Sequence, residues 1–177
     1  MNITIQNARP EDAFGNSEVI YQCWLDTYPD EESGISREDI EVYFEKRRNP
    51  EAIESRKRQI ENISPNEKFL NAKDGKKIVG ICRLYKHSDS GELKEMYVSA
   101  EYRNRGIGVR FWREALNFFD TNRDIACDVA IYNTRAVEFY KRLGFVDTGR
   151  RFTDKNYKMR SGVFIPWMEM RLVRSVN

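Results

Sequence analysis

Residue type and spacing specify chemistry most plainly at Arg103-Asn104-Arg105-Gly106-Ile107-Gly108, between a strand-like run ending at Val98 and a helical run carrying Phe111, Trp112 and Ala115. A loop that enters a helix exposes several backbone N–H groups pointing one way, and the helix dipole adds positive potential there. Glycines at 106 and 108 let the backbone approach an anion with no Cβ between them, and Arg103 and Arg105 add positive charge. This composition reads as a pyrophosphate cradle. The Walker pattern needs a Gly-Lys-Ser/Thr ending, where the chain has Gly108-Val109-Arg110. The dinucleotide fingerprint needs a third glycine where Phe111 stands. Taken alone, the loop reads equally as a tight strand-to-helix turn.

Other chemistries find little support. His87 is the only histidine, inside the polar stretch Lys86 to Gly91, and Cys23, Cys82 and Cys127 lie far apart. No metal site and no Ser-His-Asp triad is expected from such a set, and three free thiols suit a reducing compartment. Thirty Lys and Arg nearly balance 28 Asp and Glu, for a net charge of +2. The basic blocks Lys46-Arg47-Arg48 and Arg56-Lys57-Arg58 carry interspersed Glu and read as a solvated helix face, so no nucleic-acid partner is expected. No signal peptide and no membrane-spanning run appears, so a soluble, cytoplasmic protein is expected. The 177 residues suit a single domain over 1–177.

The elements that must hold the loop follow from periodicity. Ile3 and Ile5 alternate as a strand, and Val19, Ile20, Cys23 and Trp24 fall at helical spacing until Tyr28-Pro29. Ser36 caps a second helix, and Asn49-Pro50 opens a third, whose thin apolar stripe is Ile53, Ile60 and Ile63. From residue 67 the period turns to two, with a hairpin at Asp74-Gly75 and a third strand over Glu92 to Val98. A helix with Val109, Phe111, Trp112, Ala115, Leu116 and Phe119 on one face follows, then a strand over 125–131. Asn133 opens the last helix, Gly144 ends it, and two strands close the chain. The order predicts a mixed α/β domain whose strands before residue 103 and over 125–131 run parallel.

At Asn133-Thr134-Arg135-Ala136-Val137-Glu138-Phe139-Tyr140, with Gly144-Phe145 beyond, the chain resembles the GCN5-related N-acetyltransferase superfamily. Its acetyl-coenzyme A loop, Arg/Gln-x-x-Gly-x-Gly/Ala, is matched by Arg103, Gly106 and Gly108. Its downstream signature is matched by Asn133, Ala136 and Tyr140. The resemblance covers residues 67–172 well and the first 65 in outline. It implies an α/β (α+β) fold with a mostly antiparallel central sheet, helices on its flanks, and parallel fourth and fifth strands that splay around the pantetheine arm. It implies that Met96 and Val98 pair with that arm. Amides from Arg103 through Asn104, Arg105, Gly106, Ile107 and Gly108 to Val109 would hold the pyrophosphate of acetyl-coenzyme A, and Asn133 would bond the arm. Tyr140 would protonate the departing thiolate, although its spacing also suits a core aromatic beside Phe139.

An alkylamine is mostly protonated at pH 7, so a carboxylate must help to remove a proton before it can attack. Glu92, 11 residues before Arg103, stands where the histone-acetylating members place theirs; it also reads as a turn residue after Gly91. Unbroken alternation puts Glu92 on the face of Lys94 and Met96, with Glu95, the second choice, pointing away. On the acceptor side Trp24 and Tyr28 could form an aromatic wall, and Asp30-Glu31-Glu32 could attract a cationic amine; a core tryptophan and a solvated loop fit the same residues. The expectation is direct acetyl transfer to a primary amine of a polyamine, small molecule, protein or peptide, with a second copy of the chain as a candidate partner in a homodimer. The competing reading is a non-catalytic acyl-coenzyme A sensor.

Overall fold

The structure, a computed structural model, describes residues 2–119 and 122–174. Seven strands form one sheet in the order β1-β2-β3-β4-β5-β7-β6. They are β1 (Ile3–Asn7), β2 (Glu67–Asp74), β3 (Lys77–Lys86), β4 (Ser90–Val98), β5 (Asp124–Ala130), β6 (Val146–Lys158) and β7 (Phe164–Leu172). Only β4 and β5 are parallel; every other neighbouring pair is antiparallel. The flanking helices are α1 (Ala13–Leu25), α2 (Arg37–Glu45), α3 (Pro50–Glu61), α4 (Ile107–Phe118) and α5 (Thr134–Arg142). No helix among the described residues is long and apolar enough to cross a membrane.

Local chemistry sets the helix starts. Ser36 Oγ accepts from Asp39 N while Asp39 Oδ2 accepts from Ser36 N, a reciprocal cap on α2. Asn49 Oδ1 accepts from Ala52 N at 2.8 Å, and Pro50 fills the first position of α3, where no amide is needed. The β2–β3 hairpin turns at Gly75, whose φ of +61° suits a glycine.

Two apolar layers pack on the sheet. On one face α4 contributes Ile107, Phe111, Trp112 and Ala115, which meet Leu84, Ile125 and Phe145. The predicted stripe was wider: Val109 and Leu116 face solvent, because the helix needs only about a 100° apolar arc to cover the sheet. On the other face α1 and α2 bring Trp24, Ile40 and Phe44 against Phe69, Ile81 and Trp167. A buried polar knot ties the first strands to the turn before α1. There Asp12 accepts from Arg9 N, Asn71 Nδ2 and Lys73 Nζ.

Candidate active site

β4 and β5 are paired only at Ser90↔Asp124, Gly91↔Ile125 and Glu92↔Ala126, and beyond these the strands part. A cleft of about 680 Å³ opens where they diverge. Gly91 permits the close approach at the apex, since a Cβ there would lie 2.8 Å from the Phe119 ring. A bulge helps β4 turn away. Leu84 faces Leu93 and Arg83 faces Glu95, which leaves Lys94 as an extra residue and sharpens the local twist.

That bulge corrects the expected faces. Residues paired across an antiparallel ladder share a face. Glu92 opposes Tyr85 and Glu95 opposes Arg83, so both glutamates and Tyr97 share the face covered by α1. Met96, opposite Cys82, lies on the other face with Leu93. Alternation from Glu92 to Met96 fails because Lys94 consumes one step without a partner. Glu92 itself is engaged: Lys94 Nζ lies 3.1 Å from Oε1, and His87 Nε2 lies 2.9 Å from Oε2. Glu95 Oε2 is shut from solvent with no hydrogen-bond partner among the described residues.

At the mouth of the cleft, Ala100–Tyr102 forms one 3-10 turn and the chain then makes two left-handed steps, Asn104 at φ +60° and Gly106 at φ +75°. α4 begins directly after Gly106 with no side-chain cap, so its first amides have no helical partner. Around Gly106 a Cβ would meet nothing within 4 Å. Gly108 differs: the Phe139 ring of α5 lies 3.0 Å from where its Cβ would be, so that glycine serves helix packing. The two arginines turn different ways. Arg103 Nε donates to Val98 O at 2.9 Å and Nη2 to Asp26 at 3.3 Å, which fastens the end of β4 to α1. Arg105 turns to the Tyr102 ring, 5.4 Å from its centroid, and is absent from the cleft wall. The remaining cradle residues, Arg103, Asn104 and Gly106 to Val109, all line the cleft, as do Met96 and Val98.

α5 delivers two more predicted residues. Asn133 Oδ1 accepts from Ala136 N at 3.2 Å, capping the helix and leaving the Nδ2 group to donate. Tyr140, about two turns of helix further along, is buried on the cleft wall between Phe139 and Phe145. Burial pushes its phenol well above the usual tyrosine range, with Cys127 and Cys82 adding to the effect.

On the acceptor side Trp24 and Tyr28 line the cleft as expected. Trp24 stacks on Tyr43 at 5.1 Å and donates from Nε1 to Tyr97 Oη at 3.1 Å. The acidic loop is a correction: residues 30–32 stand off the wall, and Asp30 closes its own turn by accepting from Ser33 N. Two further carboxyl residues that sequence reasoning missed line the cleft, Asp128 on β5 and Asp154 on β6. Burial raises the Asp128 carboxyl above the usual aspartate range against the pull of Lys94, and Glu92 adds to the rise. Its signal was present: Ile125, Cys127 and Val129 point into the core, so Asp128 must face outward. The basic blocks also divide. Arg47 stacks on Tyr43 and Arg48 pairs with Glu18 at 2.8 Å, whereas Arg56 faces the cleft.

Comparison with known proteins fits this geometry. The model of the acetyltransferase (GNAT) family matches residues 19–145. A protein of Methanocaldococcus jannaschii described as an uncharacterized N-acetyltransferase is 38% identical over 56 residues; the match spans 30% of this chain and 25% of that protein. Among solved structures, the PaiA N-acetyltransferase of Thermoplasma acidophilum in complex with coenzyme A superposes with a TM-score of 0.70 at 23% identity, covering 96% of this chain and 98% of that one. The ribosomal-protein-S18-alanine N-acetyltransferase of Escherichia coli gives 0.64 at 12% identity, covering 99% and 97%.

Proposed function

The chain belongs to the GNAT family of acetyltransferases, and from that premise we propose that it moves the acetyl group of acetyl-coenzyme A directly to a primary amine. The observation that carries this reading is the single cleft that joins the uncapped start of α4, the parted edges of β4 and β5, and Tyr140. The fit to the cofactor rests on two features. The first amides of α4 and the open space at Gly106 suit a pyrophosphate, and the parted strand edges at Met96 and Val98 suit an extended arm with amides.

Acetyl-coenzyme A supplies the acetyl group as a thioester, whose carbonyl carbon takes the amine nitrogen as the C–S bond breaks. The chain's own groups manage the protons. A carboxylate on the acceptor face takes one proton from the ammonium, and Glu92, Glu95 and Asp128 are the candidates. Tyr140 gives its phenolic proton to the departing sulfur, and its raised pKa keeps that proton in place until then. The second proton of the nitrogen, released as the amide forms, restores the phenol. Direct transfer suits the cysteines: all three are buried and their thiols are raised, Cys23 to about 11, so none is a ready nucleophile.

Calorimetry with acetyl-coenzyme A, paired with thiol release across an amine panel, tests the reading. Binding that Gly106→Glu abolishes is expected, together with release on at least one amine. Binding without release across polyamines, amino acids and peptides would favour the sensor.

A further inference from the structure

The acceptor end of the cleft holds two opposite charges that the protein leaves unmatched. α3 presents Ala52, Ser55, Arg56 and Gln59 to the cleft, the spacing of one helix face. Arg56 Nη1 and Glu95 Oε2 are both closed to solvent, and neither has a hydrogen-bond partner among the described residues. Burial lowers the proton affinity of the Arg56 guanidinium, Glu95 pulls it back up, and Arg83 adds to the lowering. Yet they form no ion pair. Arg83, the other guanidinium near Glu95, turns instead to Glu67 at 3.7 Å.

Unpaired buried charges are costly, and folded proteins keep few of them away from functional sites. A guanidinium is suited to grip a carboxylate through two parallel N–H groups. A half-buried glutamate with one oxygen closed to solvent, on the strand that flanks the splay, is suited to receive an ammonium. The same cleft is lined by the packed rings of Trp24, Tyr43 and Tyr157. A smaller hollow beside α3 shares Ser55 and Gln59 with the cleft and adds Arg58, so positive charge extends outward on the Arg56 side.

Resting on the acetyl-transfer reading, we propose that the acceptor is a free α-amino acid with an apolar side chain, its carboxylate bound by Arg56 and its amino group received by Glu95. A polyamine would satisfy Glu95 but leave Arg56 unmatched and bring further positive charge toward it. An amino acid answers both groups with a single small molecule.

The test compares pairs that differ only in the carboxylate: L-phenylalanine with phenethylamine, and L-leucine with isopentylamine. Thiol release is followed at saturating acetyl-coenzyme A and corrected for the fraction of neutral amine. The expected kcat/KM for each amino acid exceeds that of its amine at least tenfold. Arg56→Gln removes that preference, leaves the amines within about twofold, and leaves the calorimetric affinity for acetyl-coenzyme A unchanged. Arg56→Lys, which keeps charge without the planar fork, retains part of the preference and so separates recognition from misfolding. Equal rates for acid and amine, a preference for the amines, or an Arg56→Gln that slows both alike overturns the proposal. If no acceptor releases thiol, the transfer reading falls by itself. Calorimetric titration of phenylalanine and phenethylamine into the coenzyme A-loaded protein then decides the carboxylate, and equal affinities overturn it.

Discussion

Gly108 gives the sharpest test of how the cradle is assembled. A Cβ added there falls 3.0 Å from Phe139 Cζ and 3.2 Å from Cε2, inside the carbon–carbon optimum of about 3.5–4.0 Å. Gly108→Ala must therefore push the ring or the helix aside, at a cost of about 1–3 kcal/mol for overpacking. Alanine recovers up to about 1 kcal/mol as the better helix former. The net expected loss is thus about 0–3 kcal/mol. Phe139→Leu alone should cost about 1–2 kcal/mol, less than a fully buried truncation because the ring is only half-buried. In the double variant the new methyl no longer meets the ring, so the losses should fail to add by about 1–2 kcal/mol. Urea unfolding of the four proteins gives the coupling, and acetyl-coenzyme A calorimetry on the same set shows whether affinity returns with packing. Strictly additive losses would refute the claim that Phe139 is what Gly108 makes room for. Restored stability without restored affinity would instead assign the glycine to the anion itself.

Tyr140→Phe should lower turnover about 100-fold, the scale of a lost general acid, with acetyl-coenzyme A affinity unchanged by calorimetry; unchanged turnover removes Tyr140 from that role. Asp12→Ala strips Arg9, Asn71 and Lys73 of their shared acceptor and should cost about 3–5 kcal/mol in chemical denaturation; a loss below about 1 kcal/mol would mean that the knot relaxes freely. Asp128 has a folded pKa above its unfolded 3.8, so its contribution to stability is intact below pH 3.8 and is lost as pH rises through the folded value. Asp128→Asn should therefore melt higher than the parent at pH 7, with the gain disappearing toward pH 3.5, and a constant difference across that range would contradict the assignment.

Much of the donor half was legible in the chain. Strand periodicity, the Asn49-Pro50 start and the left-handed turn at Gly106 each act within a few residues, and the structure keeps them. The acceptor half was not, for reasons that are also local. Nothing in Glu92-Leu93-Lys94-Glu95 announces a bulge, because the extra residue is defined only against Arg83 and Leu84 on β3. Arg56 looked like one more charge on a solvated helix, since its neighbours Arg58 and Glu54 do face water; what draws it inward is the cleft wall of β4. Arg103 shows the same limit from another side. Its charge was visible, but Asp26 and the Val98 carbonyl that engage it belong to other elements.

The three-pair contact between β4 and β5 has a further consequence. A sheet normally has two edges, and each is a template on which another chain can pair. Here β1 and β6 form the outer two, while the parting of β4 from β5 creates two more inside the molecule. Arg103 already engages the Val98 carbonyl on one of these inner borders, and residues of both strands line the cleft. The parting thus sets strand-edge donors and acceptors inside the molecule, on the walls of a cleft wide enough for one slender guest.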